Sequence, residues 1–563
     1  MAVAGSLITR NYTDFRGVDF SNRKDEVSLY RSPDSKNMWK NYKNNKGRCV
    51  ESRPDIELVK EFTDTIFGLF FYAHNNSTHR IVHSGANLYD NDNVVYNKMA
   101  RHKSQSFVYE DLLYIKDGTN YLVYDGTTVK EVEGYIPTTS ISRNPSGGGT
   151  IYDDVNLLTG VRKNSFVSDG ISKDYYVDTQ SFDSDYKVRA WVNDKEVTGF
   201  TTTPSAGKIT FTEAPAEPLT VGQDNVIIQF RKTVAGEREK IENCTLLEVF
   251  DGRVFFSGNP KYPNMLWHCS LDDPTYCSDL DKYAEGVDDS KIKALVSGNN
   301  ALWVMKEPSQ TNTTIFYHNP TVDDEYGKVY PSIHSSISTG CVSTGINFND
   351  DIVFFSERGL EGISGDVTTE QAIAHRSTLI DNRLLNEANY KNLILEEWEG
   401  YLLVIVDNRI YLANSREMMT NGNHYEYEWF YWEFNINITS TRVKDGVLYL
   451  CSDKAIYTLT KTDTDIEAYW TSKEDEFEYP HYQKTTNKKG CVVDIEGESV
   501  TVSVKTDNNN FETINTYTNT KGYVVSRIKK KKWKSIQLKF SSNKPFGVYS
   551  LTLEAYVGSY VKR

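Results

Sequence analysis

The sequence predicts an all-β chain: a six- or seven-bladed β-propeller with an inserted β-sandwich domain and a C-terminal β-sandwich. Three observations predict it. A hairpin signal returns at a period near 50 residues, one long gap in that period closes when about 90 residues are set aside, and the composition suits pleated sheet. Aromatic residues make up 13% of the 563 positions, with 37 Tyr, 25 Phe and 9 Trp. Such side chains favour half-buried strands. A chain of this length divides into about two to four domains.

The hairpin signal is an apolar arm, a short turn of Asp, Glu, Asn or Gly, and a second apolar and aromatic arm. It runs over Val108–Tyr114, Val249–Phe256, Val296–Trp303, Ile346–Phe355, Leu395–Leu403 and Val443–Leu450, with a weaker copy at Ile66–Tyr72. From Val249 onward the steps are 47, 50, 49 and 48 residues. That is the spacing of propeller blades. The step from Val108 to Val249 is 141 residues, and removing 146–235 restores one period. That block opens at Pro145-Ser146-Gly147-Gly148-Gly149, a hinge signal. It has its own strands at Tyr175–Val177, Val188–Val192, Ile209–Phe211 and Val226–Phe230, with turns at Asp169-Gly170 and Asn193-Asp194. After Lys484 the pattern becomes period-two alternation at Val500–Lys505, Ser535–Phe540 and Val548–Tyr556, as in antiparallel strands with one buried face. The expected organisation is an N-terminal segment with the first blades over 1–145, the inserted sandwich over 146–235, the remaining blades over 236–484 and the terminal sandwich over 485–563. Helix is minor, with one amphipathic stretch at Ser377–Asn392.

Net charge is −14. It keeps an assembly soluble and counts against a general nucleic-acid-binding surface, although an acidic wall beside DNA would keep DNA from adhering. Seven scattered Cys contain no C-x-x-C pair, so neither zinc site nor disulfide framework is signalled. The opening MAVAGSLITRNY has no signal-peptide pattern, and no apolar run reaches the ~18 residues of a membrane span. The expectation is assembly in a reducing cytoplasm, and sequons such as Asn312-Thr313-Thr314 are then chance matches.

Chemistry is hard to find. The ten His form no H-E-x-x-H, and no G-x-S-x-G elbow or phosphate-binding loop appears. His79 and His83 share a strand face as a surface pair without a third ligand. Asp90-Asn91-Asp92-Asn93 lacks EF-hand spacing and reads as a turn. Glu396, Glu397 and Glu399 would be a solvated acidic hairpin tip rather than a glycosidase pair. Tyr425–Phe434 mixes acids and aromatics as a blade strand with an aromatic inner face. No catalytic, cofactor-binding or metal residue is assigned, and the chain is expected not to be an enzyme. The strong positive cluster is Arg527, Lys529, Lys530, Lys531, Lys532 and Lys534. It reads equally as a contact for DNA phosphates, a contact for an acidic neighbouring subunit, or a solvated connection between strands.

The N-terminal run Arg31–Met38, with Asn37, followed by Gly47-Arg48 and Arg53-Pro54, resembles the opening of bacteriophage tail hub and nozzle proteins, also called packaged-DNA-stabilisation or tail tubular proteins. Asp55 stands where that family has Gly. Leu247–Arg253, Ser257-Gly258-Asn259-Pro260, Leu266-Trp267, Asp272-Asp273-Pro274, Gly340–Gly345 and Phe354–Gly359 are similar to its blades. Within the insert, Val155–Leu158, Arg162-Lys163, Phe166 and Asp169-Gly170 resemble a module of phage structural proteins. The resemblance implies a virion protein of the tail, a ring that is a homohexamer with portal, adaptor or other tail proteins as partners. Genomic double-stranded DNA would pass through it without sequence-specific contact. A receptor- or glycan-binding propeller of the tail tip is the alternative.

Overall fold

A computed structural model of the chain describes residues 5–560, apart from 44–48, 288, 311, 324–326, 336, 364–372, 422–423 and 462–464. The chain is all-β, with 54% of residues in strands and 3% in helix. It divides into two compact units, Met1–Leu69 with Ser336–Arg563, and Phe70–Ser335.

The repeating element is a four-stranded antiparallel blade. Six blades span residues 66–96, 105–131, 246–284, 292–334, 345–375 and 394–433. The seventh takes three strands from 440–461 and its fourth from the other end of the chain, where Asp55–Glu61 pairs with Ala455–Lys461. Among the described residues the blades therefore number seven.

Each blade opens on a two-residue turn in which both residues have positive φ. These turns are Asn75-Asn76, Glu110-Asp111, Asp251-Gly252, Asn299-Asn300, Asn349-Asp350, Glu399-Gly400 and Asp445-Gly446. Only this mirror-image turn matches the right-handed twist of the two arms, which explains the recurring Asn, Asp and Gly. Opening strands of successive blades are tied by side chains. Ser297 Oγ donates to Glu248 Oε1 at 2.6 Å, and Thr441 Oγ1 donates to Glu396 Oε2 at 3.1 Å. Burial pushes the pKa of both carboxyls upward. Glu396 is thus not part of a solvated tip: it lies in the strand Ile394–Trp398, half-buried, and only Glu399 occupies the turn.

The inserted strands form a six-stranded and a three-stranded sheet around Phe166, Tyr175, Phe182, Ile209, Phe211, Ile228 and Phe230. The larger sheet begins at Thr138–Arg143, ahead of residue 146, because this strand pairs parallel with Val161–Phe166. The tail forms the long strands Tyr482–Thr506, Glu512–Ser526, Ile536–Ser542 and Phe546–Tyr560. They belong to a 14-stranded sheet that continues through Val50–Ser52 and Met38–Trp39 into the sixth blade, while Leu7–Tyr12 pairs with Phe546–Tyr560.

Two further local expectations differ. The stretch Ser377–Asn392 is helical only at Asp381–Leu384 and, as a 3-10 turn, at Tyr390–Asn392. Its apolar residues Leu379, Ile380 and Leu384 are buried against the fifth and sixth blades, so packing without helix length satisfies them. His83 is fully buried rather than on the surface, bonded to Ser104 Oγ at 3.0 Å and to the Gly85 carbonyl at 3.1 Å. His79 instead bonds Asp90 at 2.7 Å.

Candidate functional site

The residues that carry the N-terminal resemblance form a buried clamp. Asn37 has φ 57°, which an Asn tolerates better than most residues. Its amide Nδ2 donates to the Glu467 carbonyl at 2.9 Å, and its Oδ1 accepts from Arg53 Nε at 3.0 Å and from the Glu433 N–H at 2.8 Å. Arg53 also donates to the carbonyls of Pro54 and Glu433 at 2.8 and 2.9 Å. Its guanidinium lies 3.9 Å from the centre of the Phe434 ring. Burial brings the Arg53 pKa down to about 10, against the pull of Asp55. On the strand that carries Glu433, the fully buried Glu428 pairs with Lys40 at 3.1 Å. A buried charge is tolerated only when paired and hydrogen-bonded, and both cations meet that condition. Gly47 and Arg48 lie outside the described residues.

Asn156, from the insert's family-like segment, works in the same way in the second unit. Its Nδ2 donates to the carbonyls of Tyr135 and Thr275 at 2.9 and 2.8 Å, and its Oδ1 accepts from the N–H groups of Leu158 and Cys277 at 3.1 Å each. Gly359 has φ 130°, and a Cβ there would sit 2.4 Å from Ser377 Oγ. These motifs build architecture and present no reacting group.

The basic run is built differently. It follows the strand Glu512–Ser526 and is pinned against Tyr482–Thr506. The Thr486 N–H donates to the Lys530 carbonyl at 3.0 Å, and Thr486 Oγ1 accepts from the Lys530 N–H at 3.1 Å. Ile528 and Trp533 are buried and anchor the run from inside. Lys484 lies beneath it with its ammonium against the carbonyls of Tyr479, Tyr482 and Lys534 at 2.7, 3.1 and 2.8 Å, and burial lowers its pKa to about 8. Arg527, Lys529, Lys531, Lys532 and Lys534 point to solvent, and Lys530 is half-buried and pairs with Glu512. Two further exposed cations, Lys488 and Lys489, follow Thr486 at a break in register of the same long strand. The seven exposed cations make no ion pair with a described residue. The adjacent Lys488-Lys489 pair was the sequence signal for this enlargement. Its proximity to the run depends on strand pairing across about 40 residues.

Other groupings yield less. His375 bonds Asp381 Oδ2 at 2.6 Å and Glu361 Oε1 at 3.2 Å. Burial alone would lower its pKa, but the two carboxylates raise it to about 9. Ser377 Oγ donates to Asp381, not to His375, so the set lacks a nucleophile–base pair. Among the described residues no group of three or more His, Cys, Asp or Glu could hold a metal. A cavity of about 500 Å³ gathers Glu51, Glu496, Glu498, Arg53 and Tyr549. Its carboxylates Glu51 and Glu496 already accept bonds from Asn41 and Tyr549, at 2.8 and 3.1 Å. A second cavity of about 490 Å³ is lined by Phe20, Lys24, Arg383 and Arg409. Within it Arg383 stacks on Tyr431, and Arg409 pairs with Glu387. Tyr427–Trp432 is buried, as an aromatic blade strand should be. No described helix is long and apolar enough to cross a membrane.

No protein-family model matches the chain, and no curated protein matches it. Among solved structures, BamB from Moraxella catarrhalis is similar over 73% of this chain and 97% of its own, with 11% identity and a TM-score of 0.32. The exo-β-1,3-galactanase of Phanerochaete chrysosporium with galactose is similar over 81% and 97%, with 8% identity and a TM-score of 0.18. Likeness at these scores carries no argument about activity.

Proposed function

We propose that this chain is a structural virion protein of a bacteriophage tail and not an enzyme. It assembles as a homohexameric ring that continues the DNA channel below portal and adaptor proteins, retains packaged DNA and allows its ejection. The observation that supports this reading best is what becomes of the family-like residues. Asn37 and Arg53 are spent on a saturated internal clamp, and Asn156 likewise in the second unit. A protein whose shared residues hold frame elements together suits a role of shape and assembly. Blades with short, protected edges make stiff walls, and a ring needs one heterologous interface repeated until it closes.

Electron microscopy of the purified full-length chain tests the proposal. The expected image is a six-fold ring with an axial pore of duplex width. A monomer or trimer that scores on a glycan array would replace it with the receptor-binding reading, and hydrolysis of host polysaccharide would overturn both.

A further inference from the structure

We propose that the face formed by Lys488, Lys489, Arg527, Lys529, Lys531, Lys532 and Lys534 binds the phosphate backbone of a nucleic acid without reading its sequence. Three observations lead there. First, seven exposed cations without an ion pair to a described residue lie on two segments that strand pairing brings together at Thr486 and Lys530, with Glu512 and Asp507 the acidic groups that contact the run, in a chain whose net charge is −14. Dispersed surface charge serves solubility, whereas a concentration of one sign creates a field that selects a partner of the other sign. Second, the face is held firm. Ile528 and Trp533 anchor it in the core, Thr486 fixes Lys530 through main-chain bonds, and Lys532 is turned outward by a left-handed backbone with φ 60°. Third, six of the seven cations are lysines. Lysine is depleted in the cores of protein–protein interfaces, where arginine and aromatic anchors dominate. Contacts to backbone phosphate take lysine as well as arginine, since each neutralised phosphate releases its counterions whichever cation supplies the charge. The composition therefore favours a nucleic acid over an acidic protein.

On the neighbouring strand, Lys521, Tyr523 and Val525 are exposed at alternate positions leading up to Arg527, and Tyr523 is 76% exposed. A tyrosine so placed can stack on an unpaired base but has no access to a stacked one. Duplex and single strand share the phosphate chemistry, and Tyr523 separates them.

The surface needs no ring. A monomer that binds DNA through these lysines would leave the inference standing, and a ring that ignores DNA would leave the proposed function standing.

The test uses the full-length protein with a 30-base-pair duplex and a 30-nucleotide single strand of mixed sequence, titrated between 50 and 200 mM salt. Contact with six or seven phosphates gives a log–log slope of about −6 for duplex, hence a loss of affinity of about 4 × 10³-fold across that range. Replacing Lys529, Lys531, Lys532 and Lys534 by Gln should flatten the slope by about 3 to 4 units. Tyr523→Ala should weaken single-strand binding only. An unchanged slope in the fourfold variant, or no duplex binding by the parent at 50 mM salt, would sink the proposal. So would polyglutamate of matched charge that competes as well as DNA, since the face would then be one for an acidic protein. Circular dichroism of the variant confirms that lost binding is not lost folding.

Discussion

The N-terminal clamp and the C-terminal basic face both join strands of the 14-stranded sheet, yet they treat positive charge in opposite ways. In the clamp, Arg53 and Lys40 are buried, and each is paired with protein acceptors. On the basic face, seven cations stand in water without an ion pair to a described residue. Residue type alone does not distinguish the two sets, because both read as Lys and Arg next to strands. The difference lies in what each cation would leave behind if removed. Taking away a clamp cation leaves buried acceptors without their donor. Taking away an exposed lysine leaves only water.

The largest expected effect is therefore in the clamp. Lys40→Met takes the cation from the buried Glu428 carboxylate, which keeps Asn414 Nδ2 at 3.3 Å, and should cost about 3–5 kcal/mol in urea unfolding. Arg53→Ala should cost somewhat less, since it takes the Arg53 donors from the Glu433 and Pro54 carbonyls and empties the space over Phe434, while Asn37 Oδ1 keeps its bond from the Glu433 N–H. Lys40→Met combined with Glu428→Leu should recover most of the loss, because the unpaired charge, and not the missing contact, is the chief penalty. If the double variant is no better than Lys40→Met, the pair is not the unit it appears in the clamp, and the contrast with the basic face weakens.

His375 carries a smaller, pH-dependent effect. Its folded-state pKa is about 9 against an ordinary 6.5, so its contribution is complete below pH 6.5 and is lost as pH rises through 9. The expected contribution falls by about 2–3 kcal/mol between pH 6.5 and pH 9, read as the difference in stability between the parent and His375→Gln at the two pH values. The comparison with the variant is needed because Lys484, whose pKa burial lowers to about 8, changes stability in the opposite direction over the same range. Unlike the clamp cations, this one is made dependent on pH by its own titration.

Much of the fold was legible because its signals are local. Each blade turn is two adjacent residues able to take positive φ, and Asn300, Asp350 and Asp445 advertise that in the sequence itself. Replacing Asn300 by Val should cost about 1–3 kcal/mol, since a β-branched residue resists φ 57°. What stayed hidden is non-local. Nothing in Asp55–Glu61 announces that its partner is Ala455–Lys461, some 400 positions away. Nor does the tail announce that it shares a sheet with Met38–Trp39 and Val50–Ser52. The candidate face was half legible: the run 527–534 is contiguous, but Lys488 and Lys489 join it through the bonds of Thr486 to Lys530 and the pairing of Cys491 with Ser526. Arg53 and Asn37 are legible as a resemblance, whereas their bonds to Glu433 and Glu467 depend on the fold.

The smallest expected effect is on the basic face, and its sign is informative. Exposed residues without specific contacts change stability by no more than about 0.5 kcal/mol. Here the parent also carries seven like charges on one face, and their mutual repulsion works against folding at low salt. The fourfold Lys→Gln variant should therefore be as stable as the parent or slightly more so at 20 mM salt. The two should converge at 0.5 M, where the Debye length falls to a few ångströms. A clear loss of stability at both salt concentrations would mean that the lysines hold structure together, placing them with Arg53 and Lys40 and removing them as a free surface. Convergence from above would instead mean that the fold bears a small cost to keep these charges unpaired, as expected of a surface retained for a partner outside the chain.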